Sequence, residues 1–231
     1  MSAPPNPFTP ALIVVDVQED FCPPNGSLAV QDGRAIAEPI NALLKLPFPL
    51  RIATRDFHPA NHVSFASAHA DAKPFETILT ITNPLNAAET QESRAWPDHC
   101  VQGTPGVEII PELDASRFTH VVDKGMDARV EMYSAFYDPF RVSVSKLPEL
   151  LKEGGVTDVY VVGLATDYCV KATALDAAGE GYRVWVVSEA TKAVDPSGLG
   201  KVREGMEEKG VRFVGVDGEE VGWVQKLQDS E

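Results

Sequence analysis

Residues 158–187 read DVYVVGLATDYCVKATALDAAGEGYRVWVV. Asp158–Val162 is a β-branched and aromatic run, Tyr168–Gly179 carries apolar residues at helical spacing, and Arg183–Val187 is apolar again. A strand, a helix and a second strand in that order describe a crossover between parallel strands. The same alternation continues on both sides. Ala11–Val15 (ALIVV) is apolar on both faces, as a central parallel strand should be, and Leu50–Thr54, Thr119–Val122 and Arg212–Val216 read as further strands. Helical candidates are Arg34–Lys45, with Pro39 limiting its regularity, then Ser145–Glu153, Leu199–Lys209 and Glu219–Gln228. Six strands interleaved with helices predict an α/β fold: a three-layer α/β/α sandwich around a central, six-stranded, mostly parallel sheet. Residues 59–111 show no clean strand and are rich in Ala, Asn, Thr, Pro and His. A loop of that length inside a compact domain is functional or disordered, and here it reads as a functional insertion in one domain spanning 1–231. Gln228–Glu231 reads as a frayed polar tail.

Composition narrows the function classes. The chain has 231 residues, 44% of them hydrophobic, and its 34 Asp+Glu against 20 Lys+Arg leave a net charge of −14. The apolar fraction supports a packed core. The acidic balance argues against nucleic acid, since phosphate binding needs clustered Lys and Arg. No apolar run approaches the ~20 residues of a membrane span, so no membrane partner is expected. The start, MSAPPNPFTP, has neither a basic beginning nor an apolar stretch before Ala11, unlike a secretory signal. Three cysteines without such a signal suggest free thiols in a reducing compartment, the cytoplasm with the nucleus equally compatible. Oligomeric state stays open, a homo-oligomer included.

The residues just past the strand ends are more informative. Asp16 ends the first strand, Asp56 comes after the second, Lys124 after the third, and Cys169 after the fourth where a helix should begin. In an open parallel sheet the carboxyl ends of the strands form the ligand crevice. Singly, these residues read as a turn aspartate, a surface charge and a small buried thiol. Jointly they read as an activated nucleophile without histidine. A helix N-terminus and a nearby ammonium should depress the thiol pKa, and a carboxylate could accept its proton.

A second constellation is Asp56-x-His58 with His99, in TRDFHPANH and WPDHC. Imidazole and carboxylate suit one divalent cation, zinc foremost, with Mn²⁺ and Fe²⁺ matching the same donors. Three protein ligands would leave positions open. His62 and His69 read as surface or supporting groups, and His120, inside a strand, as a packed core residue. Cys22 precedes Pro-Pro and Cys100 follows His99, so both read as structural. Phe21, Trp96 and Tyr133 are candidates to line a flat apolar pocket.

The segments ALIVVDVQEDFCPPNGSLAV, TRDFHPANHVSFA, WPDHCVQGTPG, DKGMDARVEMYSAF and VVGLATDYCVKATALDA resemble, in order, the isochorismatase-like cysteine hydrolases, and within them the nicotinamidases. The likeness runs from about Ala11 to Pro196. It implies a catalytic triad of Asp16, Lys124 and Cys169 and metal ligands Asp56, His58 and His99. It implies an oxyanion hole from the Ala165 and Cys169 backbone N–H groups, with a cis peptide before Thr166. Phe21, Trp96 and Tyr133 would then flank a pyridine ring. His62 falls where some relatives carry a metal-associated histidine, and Glu131 where a supporting acid would sit. The implied small-molecule substrate is nicotinamide, hydrolysed to nicotinate and ammonia through a thioester in NAD salvage. Alternatives are another small amide or carbamoyl compound, or a non-catalytic ligand-binding member.

Overall fold

A computed structural model describes residues 3–227 of the chain. In chain order its elements are β1 (Pro10–Val15), α1 (Ala37–Leu44), β2 (Leu50–Asp56), β3 (Ile78–Asn83), β4 (Asn86–Arg94), β5 (His120–Lys124), α2 (Leu147–Glu153), β6 (Asp158–Leu164), α3 (Cys169–Gly179), β7 (Arg183–Lys192), α4 (Leu199–Glu207), β8 (Val211–Val214) and α5 (Glu219–Gln225). The six expected strands form one sheet in the order β5-β2-β1-β6-β7-β8, every neighbouring pair parallel. From β1 the chain steps outward to β2 and β5; from β6 it steps the other way to β7 and β8. The order reverses between β1 and β6, and a crevice opens at such a point.

The sheet is buried on both faces because its strands alternate between two cores. On β1, Leu12 and Val14 join one cluster with Ile40, Leu43 and Leu44 of α1 and Val221, Trp223 and Val224 of α5. Ala11, Ile13 and Val15 point into the other, with Leu147 and Leu151 of α2, Val170, Ala174 and Ala177 of α3, and Met206 of α4. All six β1 residues are buried, which explains why ALIVV carries no polar alternation. Each fully buried Val, Leu or Ile contributes roughly 1.5–3 kcal/mol. Gly163 tightens the centre. A Cβ there would lie 2.1 Å from the Val15 carbonyl oxygen, so only glycine lets β6 close onto β1 beside Asp16.

Three expectations need correction. Residues 59–111 are not strandless: β3 and β4 form an antiparallel hairpin, from Ile78 opposite Arg94 to Asn83 opposite Asn86. The signal was faint because β4 (NAAETQESR) is almost wholly exposed, and a solvated edge strand needs no apolar alternation. His120 is exposed, since β5 is the edge of the sheet and only one neighbour covers it. The helix foreseen from Arg34 opens as a 3₁₀ turn, Gly33–Ile36, before α1. The proposed tail at Gln228–Glu231 lies outside the described residues. Among the described residues, no helix is long and apolar enough to cross a membrane.

Candidate active site

Four adjacent strands, β5, β2, β1 and β6, each deliver one reactive residue to the same edge. Lys124 closes β5, Asp56 closes β2, Asp16 follows β1, and Cys169 opens the helix after β6. The outer two strands lie about 14 Å apart at ordinary strand spacing. The long Lys124 side chain spans the gap. Its Nζ lies 2.5 Å from Asp56 Oδ1, 3.0 Å from Asp16 Oδ2, 3.1 Å from the Met132 carbonyl oxygen and 3.6 Å from Cys169 Sγ. Lys124, Asp16 and Asp56 are all buried. Asp16 also accepts the Thr54 hydroxyl at 2.6 Å, and its backbone turns at a φ of 48°.

Burial decides the electrostatics. It would strip the Lys124 proton, but Asp16 and Asp56 outweigh it and hold the ammonium pKa well above its usual value. Burial also pushes the Asp16 carboxyl up to about 6, against the pull of Lys124. In Asp56 the balance is opposite: burial raises it, while Lys124 and His58 together lower it further, leaving a carboxylate. For Cys169 the expected depression does not appear. Burial raises the thiol well above its ordinary value, Lys124 opposes this, and Asp16 and Asp56 add to it. Burial first, and then the two carboxylates that share the Lys124 ammonium, thus favour the thiol over the thiolate at rest.

Beside this cluster, ligand atoms of Asp56, His58 and His99 lie within 4.8 Å of one another. His58 Nδ1 donates to the Gly125 carbonyl at 2.8 Å and His99 Nδ1 to the Pro97 carbonyl at 2.7 Å. A carbonyl only accepts, so both rings carry a proton on Nδ1 and turn Nε2 toward the site; Asp56 Oδ2 lies 3.6 Å from His58 Nε2 and raises that ring's pKa against burial. Burial, reinforced by His58, pushes His99 down to about 4, which keeps it a neutral ligand. Two imidazoles and a carboxylate fit a small divalent cation. Gly125 is required where it stands: at a φ of +67° a Cβ would sit 2.4 Å from His58 Cε1.

His62 is not at the surface. It is fully buried, with its ring 4.1 Å from that of His58. Ser64 sits against its Nδ1, with Oγ at 2.8 Å and N at 3.3 Å, and the ring flanks the grouped ligand atoms of Asp56, His58 and His99 without being one of them. Gln18 is another group that sequence reasoning passed over. Its amide donates to the Asp56 carbonyl and accepts the Asp56 N–H, both at 2.8 Å, and so grips the end of β2 from β1. Its place two residues after Asp16 was the available clue.

A narrow pocket opens over these groups. Phe21, Trp96 and Tyr133 all line it, together with Asp56, His99 and Cys169. Tyr168, unnoticed beside Cys169, lines it too, its ring 5.0 Å from Trp96. Glu131 also faces the pocket; burial raises its carboxyl pKa. Cys22 and Cys100 are buried outside the lining, and burial pushes Cys22 up to about 11 and Cys100 well above its usual value.

In the turn from β6 to α3, Thr166 N–H bonds to the Lys192 carbonyl at 2.8 Å, and Tyr168 and Val170 N–H both bond to the Ala165 carbonyl. The Ala165 and Cys169 N–H groups are not among these donors. The cis peptide lies between Leu164 and Ala165, one bond earlier than expected.

A sequence model of the isochorismatase domain matches residues 10–214. The nicotinamidase of Acinetobacter baylyi is 42% identical over 188 residues, covering 81% of this chain and 83% of that protein. The crystal structure of the yeast nicotinamidase bound to the inhibitor nicotinaldehyde superposes with a TM-score of 0.85 at 35% identity, covering 89% of this chain and 99% of the other. The pyrazinamidase of Pyrococcus horikoshii, solved in complex with zinc, gives 0.69 at 34% identity, with 90% and 99% covered.

Proposed function

This chain belongs to the isochorismatase family, and from that membership we propose that it hydrolyses nicotinamide to nicotinate and ammonia through a thioester on Cys169. The observation that carries the reading is the single ammonium of Lys124, held 3.0 Å from Asp16 and 3.6 Å from Cys169 under an aromatic pocket. The similar nicotinamidases, one of them bound to a pyridine aldehyde, support the substrate. In the same reading residues 1–231 act as one hydrolase domain, and the 59–111 insertion brings Trp96 and His99 to the site. Three free, buried cysteines support a reducing, cytoplasmic setting.

The reaction begins with a thiol and a carboxylate. Asp16 takes the Cys169 proton as sulfur attacks the amide carbon, so the thiolate forms only while it is being consumed. Lys124 stays protonated and balances the charge that shifts between sulfur and carboxylate. The Ala165 and Cys169 N–H groups receive the developing oxyanion; such a donor is typically worth ~3 kcal/mol. Asp16 then returns the proton to the leaving nitrogen, the C–N bond breaks, and ammonia departs. Water adds to the thioester with Asp16 again as base, releasing nicotinate and restoring the thiol. Asp56, His58 and His99 would hold one divalent cation, for which we propose zinc, as in the similar pyrazinamidase. When bound, that cation supplies a Lewis-acid seat for the pyridine nitrogen. Phe21, Trp96 and Tyr133 sandwich the ring and exclude water.

Ammonia release from nicotinamide, measured with and without a chelator, tests the proposal directly; absence of release from the metal-replete chain would refute it. The Asp16 pKa sets a further expectation. Above about 6 Asp16 is ionised and able to accept the proton; below it Asp16 is protonated and idle. The acid limb of kcat/KM should therefore fall tenfold per pH unit below about pH 6, since this ratio reports the free enzyme. A flat profile down to pH 4 would remove Asp16 from the base role. Replacing His58 by Ala should empty most of the cation site and raise KM by at least roughly tenfold, since losing even a group that only supports a metal ligand costs about 10–100-fold in affinity or activity. Metal stoichiometry by atomic emission reads this, and an unchanged value would contradict the ligand assignment.

A further inference from the structure

The β3–β4 hairpin reaches the pocket through one hydroxyl. Ser93 is the one buried residue of β4, paired with Leu79 across the hairpin. Its Oγ lies 3.0 Å from the Tyr133 hydroxyl, and Trp96 Nε1 lies 2.9 Å from that same oxygen. An indole N–H can only donate, so the phenol oxygen accepts from Trp96. The phenol has a single proton, and Ser93 Oγ can receive it when the seryl hydroxyl turns to the Arg94 carbonyl at 3.5 Å. Burial keeps that phenol protonated, holding its pKa well above the usual value. Both polar atoms of the wall are thus committed to the wall itself. Tyr133 and Trp96 offer the pocket only their rings, braced by Tyr168 at 5.5 Å and 5.0 Å.

Resting on the nicotinamidase reading, we propose that Ser93 is a positioning residue: it locks the Tyr133–Trp96 wall in the orientation that receives the pyridine ring, and so makes the hairpin a determinant of substrate recognition. Without that acceptor, the phenol proton would have to turn toward the pocket, and a ring surface built for an apolar face would acquire a polar edge. The seryl hydroxyl touches no reacting atom, so its loss should weaken capture of nicotinamide while sparing chemistry.

Steady-state kinetics on Ser93→Ala, Tyr133→Phe, the double variant and Ser93→Thr test this, with nicotinamide as substrate. Removing one hydrogen bond of this kind should raise KM about fivefold in Ser93→Ala, with kcat changed by less than about twofold. Ser93→Thr, which keeps the hydroxyl, should recover the original KM. In the Tyr133→Phe background the serine substitution should add nothing further, because the group it acts through is gone. An unchanged KM in Ser93→Ala, a fall in kcat equal to that in kcat/KM, or full additivity with Tyr133→Phe would each overturn the inference. If the unaltered chain releases ammonia from nicotinamide while KM ignores Ser93, this inference alone falls. If it releases none, the functional reading falls with it.

Discussion

Replacing Cys169 by alanine is expected to lower kcat by roughly 10⁵-fold or more, the scale seen when the nucleophile of a covalent hydrolase is removed. Nothing nearby can substitute. Cys22 and Cys100 are buried outside the pocket lining, and burial raises both thiols. The cation site should be untouched, because the donors come from Asp56, His58 and His99. The variant should therefore retain full metal content, fold normally and bind nicotinamide without turning it over. On the unaltered chain, mass spectrometry after rapid quenching should find the nicotinoyl group on Cys169 alone. Turnover in Cys169→Ala well above the residual level left by that loss, or an acyl adduct elsewhere, would end the thioester mechanism.

The second large effect is expected from Lys124→Met. This substitution nearly preserves volume but withdraws the cation that Asp16 and Asp56 share. Two buried carboxylates would be left facing each other, and breaking a buried pair in this way costs about 3–5 kcal/mol. Denaturant unfolding should register that loss. Activity should drop as well, by roughly 10²–10³-fold, the usual consequence of deleting one preorganised electrostatic contact. The pH profile separates the two effects. Lys124 is the largest influence lowering the Asp16 pKa, so without it that pKa rises from about 6 and the acid limb moves to higher pH. A variant with wild-type stability, or with an unmoved acid limb, would show that Lys124 does not hold these carboxylates together.

The sheet was readable in the sequence because its strands are buried on both faces. ALIVV, DVYVV and RVWVV have little choice of environment, and their spacing forced a crossover topology. The positions after those strands were readable for the same reason, since parallel strands share one carboxyl edge. Legibility ended where neighbours decide. His120 sits on an edge strand, and no pattern within THVV announces an edge. The β4 strand is polar because it is solvated, so only its partner β3 carries alternation. The state of Cys169 was misjudged for a further reason. The helix N-terminus and the lysine were visible, but the burial of the thiol and the sharing of that lysine with a second carboxylate arise only from the fold. Tyr168 and Gln18 each stood next to or near a recognised residue, and nothing in residue type alone separated them from packing.

The strands that present Lys124, Asp56, Asp16 and Cys169 stand side by side, yet the ribosome makes them in another order: the two aspartates first, then the lysine, and the thiol last. A chain that ends at the lysine carries both carboxylates and the ammonium but not yet Cys169. Only when β6 docks between β1 and β7 does the thiol arrive among its helpers. Competence therefore waits on β6, the strand whose pairing with β1 completes the site, and turnover itself serves as a gauge of how many molecules have finished assembly.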